Sequence, residues 1–281
     1  MSVIILTDST SDITPDQAAR KDVQLVPLRV AFGEEVYRDN LDITHQEFYE
    51  KLAQSKTLPT TSQPTPQDFL PFFEAVRDRG DELVCVLLAG KLSGTLQSAL
   101  IAKDLCGYPH IHVVDSIQAV TGLRALVDLA CLLRSEGKSA AEIAAELESA
   151  RERIRLFAMV DTLEYLHKGG RLPAAAAVAG TLLRVKPLLT LQDGALSVIG
   201  KGLGVKDAMA QLLDRLGDLS DADPRLPVYF GYTKTVDRCQ QFRTLVEENL
   251  HPKFWEVHSV GAVIGAHVGP GAVVVCYLAK K

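Results

Sequence analysis

The sequence predicts an α/β protein in two units: an N-terminal unit on a mostly parallel, doubly covered sheet, and a C-terminal α/β unit with a mixed or antiparallel sheet. Apolar runs of strand length, Val3 to Leu6, Leu83 to Leu88 and Ile111 to Val114, are continuous rather than alternating, as strands covered on both faces are. Helix-like stretches separate them. Farther along, Asp193-Gly194 joins two strand-like runs, which is a hairpin signal and so implies antiparallel pairing. At 281 residues the chain has room for two ordinary domains, and the change of pattern places them at 1–154 and 155–281.

In chain order, Val3 to Leu6 runs into Thr-Asp-Ser-Thr-Ser-Asp at 7–12. The stretch Pro59-Thr60-Thr61-Ser62-Gln63-Pro64-Thr65-Pro66 has prolines too frequent for a helix or central strand and is expected to be a fixed loop presenting hydroxyls. Leu83 to Leu88 leads into Ala-Gly-Lys-Leu-Ser-Gly-Thr, and Ile111 to Val114 into Asp-Ser-Ile-Gln. Ser139 with Glu142 forms a capping box ahead of Ile143, Leu147, Ala150 and Ile154, an amphipathic helix. Pro173 suits the first turn of a helix over Ala174 to Leu183. Leu188 to Leu191 and Ala195 to Ile199 are the hairpin strands, Asp218 to Pro227 is a surface loop, and Val228 to Gly231 is a strand. Val260 to Ala279 is long enough to span a bilayer, but its glycines, Pro270 and His267 divide it into a helix, a tight loop and a buried strand.

A net charge of -5 with interspersed signs offers no stripe for a nucleic-acid backbone. The five cysteines, Cys85, Cys106, Cys131, Cys239 and Cys276, show no paired spacing and read as buried free thiols. The N-terminus lacks a basic region ahead of its apolar run, so a cytoplasmic protein without a signal peptide is expected. No stable membrane insertion is expected, although transient contact with a membrane surface is compatible with the chain.

In a parallel α/β sheet, ligands bind outside the carboxyl ends of the strands. Asp8, Ser9, Ser93, Asp115 and Ser116 are placed on that rim. Around Ser93 a Walker loop fails, because the residue five before Gly90 is Cys85, and a nucleophile elbow fails on the spacing Gly90-x-x-Ser93-Gly94. Ser93 and Gly94 still fit a helix start with a hydroxyl and free N–H groups, a general anion-binding arrangement. The plainer reading of Ser93 is an N-cap. His110 and His112 bring no further metal ligand, so no metal site is expected. His267 sits among Gly265, Gly269, Pro270 and Gly271, where backbone can approach a ligand; the plainer reading is a hydrogen-bonded loop histidine.

Taken as an ordered set, the segments 7–12 (TDSTSD), 60–65 (TTSQPT), 92–99 (LSGTLQSA), 114–116 (VDS), 168–172 (KGGRL), 186–189 (KPLL) and 265–272 (GAHVGPGA) resemble the DegV family, bacterial fatty-acid-binding proteins that include the FakB subunit of fatty acid kinase. The resemblance implies a carrier, not itself an enzyme and without a cofactor. It would enclose a long-chain fatty acid, or the acyl phosphate made from it, in a tunnel formed by the second unit and present the carboxylate to a separate ATP-dependent kinase subunit. By motif, Thr61, Ser93, Gly94 and His267 would hold the carboxylate, with Asp8, Ser9, Thr60, Ser62, Asp115 and Ser116 behind them. Neutral donors suit an oxygen that must stay nucleophilic.

Many members of the family carry an arginine near Lys201; the segment Lys201-Gly202-Leu203-Gly204-Val205-Lys206, read as following the hairpin, has none. Docking of the kinase is therefore assigned to Arg171, Lys201 and Lys206, with a structural ion pair as the alternative for Arg171. Two competing readings are a serine hydrolase or phosphotransferase using Ser93 and His267 with Asp8 or Asp115, and a binding module for another apolar carboxylate such as a retinoid-like or bile-acid-like ligand.

Overall fold

The computed structural model describes residues 2–172 and 185–281. In chain order the first part comprises β1 (Val3–Asp8), α1 (Pro15–Lys21), β2 (Val23–Val26), β3 (Arg29–Phe32), β4 (Glu35–Arg38), α2 (His45–Gln54), β5 (Thr60–Ser62), α3 (Pro66–Arg79), β6 (Glu82–Leu87), α4 (Thr95–Cys106), β7 (Ile111–Asp115), α5 (Val120–Ser135) and α6 (Ala140–Ala150). The second comprises β8 (Ile154–Met159), α7 (Glu164–Lys168), β9 (Val185–Gln192), β10 (Ala195–Leu203), α8 (Val205–Leu216), β11 (Val228–Tyr232), α9 (Asp237–Leu250), β12 (Trp255–Ser259), α10 (Ala262–Val268) and β13 (Val273–Leu278).

The three apolar runs become β1, β6 and β7 of a parallel sheet ordered β2-β1-β6-β7, with Val3 opposite Glu82 and Leu83 opposite Ile111. The later strands form a mixed sheet ordered β10-β9-β8-β13-β11-β12, in which β11 and β12 are parallel and the other pairs antiparallel. The α/β class and the two kinds of sheet are as expected. The Asp193-Gly194 turn has positive φ at both residues, 48° and 76°, the geometry that matches a two-residue loop to strand twist. Helix α5 lies between the sheets, touching β1 and β6 on one side and β8, β11 and β13 on the other. One hydrophobic cluster accordingly joins Ile5 and Val84 to Tyr229, Val274 and Cys276.

Several local expectations are corrected. Thr60–Ser62 is not loop but an edge strand in a third, small sheet ordered β4-β3-β5; the flanking prolines are tolerated because an edge strand leaves one side unpaired. The helix begun by the Ser139–Glu142 capping box ends at Ala150, and Ile154 instead opens β8. Residues 201–203 do not follow the hairpin but belong to its second strand, paired with 185–187. The expected helix over Ala174 to Leu183 lies outside the described residues. All five cysteines are free; four are buried and Cys131 is half-buried. Among the described residues no helix is long and apolar enough to cross a membrane, and Val260 to Ala279 divides into α10, a turn and β13 as read.

Candidate functional site

Between the sheets lies a cavity enclosing about 1050 Å³ not filled by protein atoms, part of it open to solvent. Residues on both sides of position 154 line it: Leu28, Leu88 and Val120 from the first part, and Leu189, Val263 and Val274 from the second. Its polar lining is short: Thr61, Ser62, Gln63, Ser93, Arg171, Thr190, Thr233 and His267. Two of these hydroxyls have backbone partners, since Thr190 Oγ1 donates to the Leu156 carbonyl at 2.7 Å and Thr233 Oγ1 accepts from the Ala272 N–H at 2.7 Å.

The remaining polar groups are linked through neighbouring contacts. Thr61 Oγ1 lies 2.8 Å from His267 Nε2 in a hydrogen bond. Ser93 Oγ bonds Thr95 Oγ1 at 2.9 Å. The cap of α4 is Gly94 rather than Ser93, so the Ser93 hydroxyl sits one residue ahead of the helix. The carboxamide of Gln63 packs so closely on Gly94 that a side chain there would displace it. Arg171 Nε donates to the Leu92 carbonyl at 3.2 Å and its Nη1 to the Gly169 carbonyl at 2.7 Å, which ties the segment 168–172 to the segment before Ser93. His267 is held neutral, its pKa pushed down to about 4 by burial and, secondarily, by the Arg171 charge. Its Nδ1 is buried and, among the described residues, has no hydrogen-bond partner.

The sequence-predicted residues therefore separate. Thr61, Ser93 and His267 line one cavity, Ser62 also lines it, and Gly94 adjoins Ser93 under Gln63. Thr60 is exposed and outside the lining. The rim residues Asp8, Ser9, Asp115 and Ser116 are likewise outside it, and each ties down a loop. Asp8, fully buried, accepts from the N–H groups of Thr10 and Leu88 at 2.9 and 2.8 Å. Ser9 Oγ accepts from the Leu28 N–H at 3.1 Å, Asp115 from the Gly90 and Ile117 N–H groups at 3.2 and 2.9 Å, and Ser116 Oγ from the Gln118 N–H at 3.0 Å.

Arg171 is placed beside the cavity, bonded to carbonyls and in no ion pair among the described residues, whereas Lys201 and Lys206 are exposed on β10 and α8. A guanidinium is thus part of the lining beside the neutral hydroxyls. Gln63 and the lining role of Arg171 were missed by sequence reasoning. The glycine pair before Arg171 marks a tight approach, but nothing local indicates that the side chain turns toward Leu92. Among the described residues no cluster of His, Cys, Asp or Glu has the geometry to hold a metal ion.

An α/β fold whose sheets enclose an apolar cavity with a cluster of polar groups is a container. The chain belongs to the DegV family: a family profile described as "Uncharacterised protein, DegV family" matches residues 2–280. It is 34% identical over 278 residues to a DegV domain-containing protein of Caldanaerobacter subterraneus subsp. tengcongensis, covering 99% of each chain. A solved DegV family protein from Thermus thermophilus, described in terms of its fatty acid binding, superposes with a TM-score of 0.91 at 35% identity, covering 99% of this chain and 100% of that one. A stearic-acid-binding protein from Eubacterium ventriosum superposes with a TM-score of 0.89 at 28% identity, covering 100% and 99%.

Proposed function

We propose that this chain carries one long-chain fatty acid, with the acyl tail in the cavity between the sheets and the carboxylate at Thr61, Ser93 and His267, and that it presents the carboxylate to a separate ATP-dependent kinase subunit. The observation that carries the reading is the distribution of polarity: most of the lining is aliphatic, from Leu28 to Val274, while Thr61, Ser93, Arg171 and His267, from four distant segments, line the same cavity. A tail of about 16 carbons at roughly 0.8 kcal/mol per buried CH₂ supplies about 12 kcal/mol before ordering costs. Two or three charge-assisted hydrogen bonds at about 1.5 to 3 kcal/mol each, set against desolvation of the carboxylate, contribute less.

The mouth then serves chemistry more than affinity. With Nε2 protonated, neutral His267 donates to Thr61 Oγ1 and leaves the Thr61 proton free for a carboxylate oxygen, while the Ser93 hydroxyl and the Gly94 N–H hold the same head group. Two of the five Arg171 donors are occupied by the Leu92 and Gly169 carbonyls, which anchors its charge beside the site. The carboxylate keeps an oxygen nucleophilic toward phosphorus, and the guanidinium is placed to steady the phosphoryl oxygens after transfer. The exposed Lys201 and Lys206 are the cations assigned to the kinase.

A serine hydrolase is disfavoured by two facts. His267 turns Nε2 to Thr61 and has no partner at Nδ1 among the described residues, and both Asp8 and Asp115 are committed to backbone N–H groups. The test is hydroxylamine trapping of acyl phosphate with fatty-acid-loaded chain, kinase subunit and ATP together. Hydroxamate that needs all three components supports the carrier; ester or phosphoryl turnover by the chain alone would favour the hydrolase or phosphotransferase.

A further inference from the structure

The TDSTSD segment (residues 7–12) stands outside the cavity lining, yet its last residue reaches across the molecule to the helix that carries His267. Asp12 Oδ1 accepts from the Gly261 N–H at 2.8 Å, and Asp39 Oδ1 accepts from the Ala262 N–H at 3.1 Å. Tyr49 Oη donates to the Val260 carbonyl at 3.0 Å. These three groups, 211 to 249 residues away in sequence, seize the consecutive residues 260–262 that begin α10. All three are nearly fully buried: Asp12 is 3% exposed, Asp39 1% and Tyr49 4%.

Gly261 is the point on which they converge. A Cβ there would lie 3.0 Å from His45 Nε2, 3.2 Å from Asp12 Oδ1 and 3.3 Å from Asp39 Oδ2, so the three side chains close tightly on this backbone. From this anchor α10 runs for seven residues and ends beside the cavity, with Val263, Ile264, His267 and Val268 in the lining. The helix is too short to hold its own place. Ala262 and Ala266 pack against Val30, Phe48 and Tyr49, the grip on its first residues adds direction to that packing, and a shift there moves His267 relative to Thr61 on β5.

We propose that Asp12, Asp39 and Tyr49 are positioning residues, a clasp on residues 260–262 that sets the angle of α10 and so brings His267 Nε2 to Thr61 Oγ1. The proposal rests on the carrier reading for its link to phosphoryl acceptance, but the clasp itself is read out without lipid or kinase. Two carboxylates are used because their short side chains each reach one N–H of the helix start and leave no rotamer freedom when buried. Among the described residues their second oxygens, Asp12 Oδ2 and Asp39 Oδ2, have no hydrogen-bond partner within bonding geometry.

The experiment compares Asp12→Ala, Asp12→Asn and Tyr49→Phe with Val246→Ala, a substitution in α9 on the far side of the second sheet that lowers stability without touching the clasp. The readout in the full chain is the ¹⁵N signals of the His267 imidazole followed through a pH titration. In Asp12→Ala the hydrogen-bonded Nε2 signal is lost and the pKa of His267 moves from about 4 toward the ordinary 6.5. Phosphoryl acceptance falls roughly ten- to a hundredfold, as a displacement of about an ångström costs, while bound lipid is retained. Asp12→Asn keeps an acceptor for Gly261 and restores the signal, and Val246→Ala leaves it in place. If Asp12→Ala does not fold, Tyr49→Phe, which removes only the bond to Val260, shifts the same signals in the same direction by less. An unchanged His267 in the clasp variants, or an equal change in Val246→Ala, overturns the proposal. A chain that never binds fatty acid defeats the carrier reading and leaves the His267 result standing.

Discussion

The wall of the cavity and its mouth are assembled differently: the wall comes from residues whose neighbours in sequence already pack in the core, such as Leu189 in β9 and Val274 in β13, and the mouth from side chains at positions 61, 93, 171 and 267 that meet only in the fold. The wall can change one apolar residue for another and remain a wall, because burial depends on area rather than on direction. The mouth depends on single hydrogen bonds between segments, at 2.8 Å from Thr61 to His267 and 3.2 Å from Arg171 to Leu92, so it tolerates little displacement. Affinity and chemistry thereby reside in different parts of the molecule and can be damaged separately.

The largest effect is expected from a charge in the wall. Ala158→Asp sets an unpaired carboxylate into the apolar lining, at a cost of several kcal/mol, and is expected to abolish copurified lipid while the chain remains folded by circular dichroism. Second is Ser93→Ala, which removes a donor from the mouth. It is expected to lower phosphoryl acceptance about 10² to 10³-fold and to leave the lipid count per chain unchanged. A Ser93→Ala protein that accepts phosphate at the native rate removes Ser93 from the mouth; one that loses lipid in proportion shows that head group and tail are not separable.

A smaller effect concerns His267. A bound carboxylate is a negative charge beside the imidazole, which favours the protonated form, so loading is expected to raise the pKa of His267 from about 4 by about one to two units. The sign follows directly: the loaded form takes up a proton at pH values where the empty form is neutral, and binding tightens as pH falls through that window. NMR titration with and without palmitate checks it, and a pKa that stays put or falls contradicts the placement of the carboxylate. Smallest is Lys201→Glu on exposed β10, for which lipid content and melting temperature are expected to stay within error while KM for the kinase subunit rises a few-fold.

The parallel sheet was legible because strands covered on both faces must be apolar throughout, and Leu83 to Leu87 is buried without a break. The hairpin was legible because its turn needs two residues with positive φ and Asp193-Gly194 supplies them. The β4-β3-β5 sheet was not, since each strand is only three or four residues long and β4 is largely exposed, too short for a period to show. In the site, Thr61, Ser93 and His267 were found through motifs, not periodicity. The turning of Arg171 to Leu92, 79 residues away, and the reach of Asp12 to Gly261, 249 residues away, depend on tertiary placement that no local pattern encodes. The rim residues show the converse limit: buried Asp8 and half-buried Asp115 carry the composition of a ligand site and serve the backbone instead.

The most direct test of the central claim is native mass spectrometry of the intact chain purified from a bacterial host, followed by solvent extraction and identification of what is released. One long-chain fatty acid of about 16 to 18 carbons per chain is expected, as suits an apolar cavity of this kind. A chain that carries no such increment and gains none when incubated with fatty acid would contradict it.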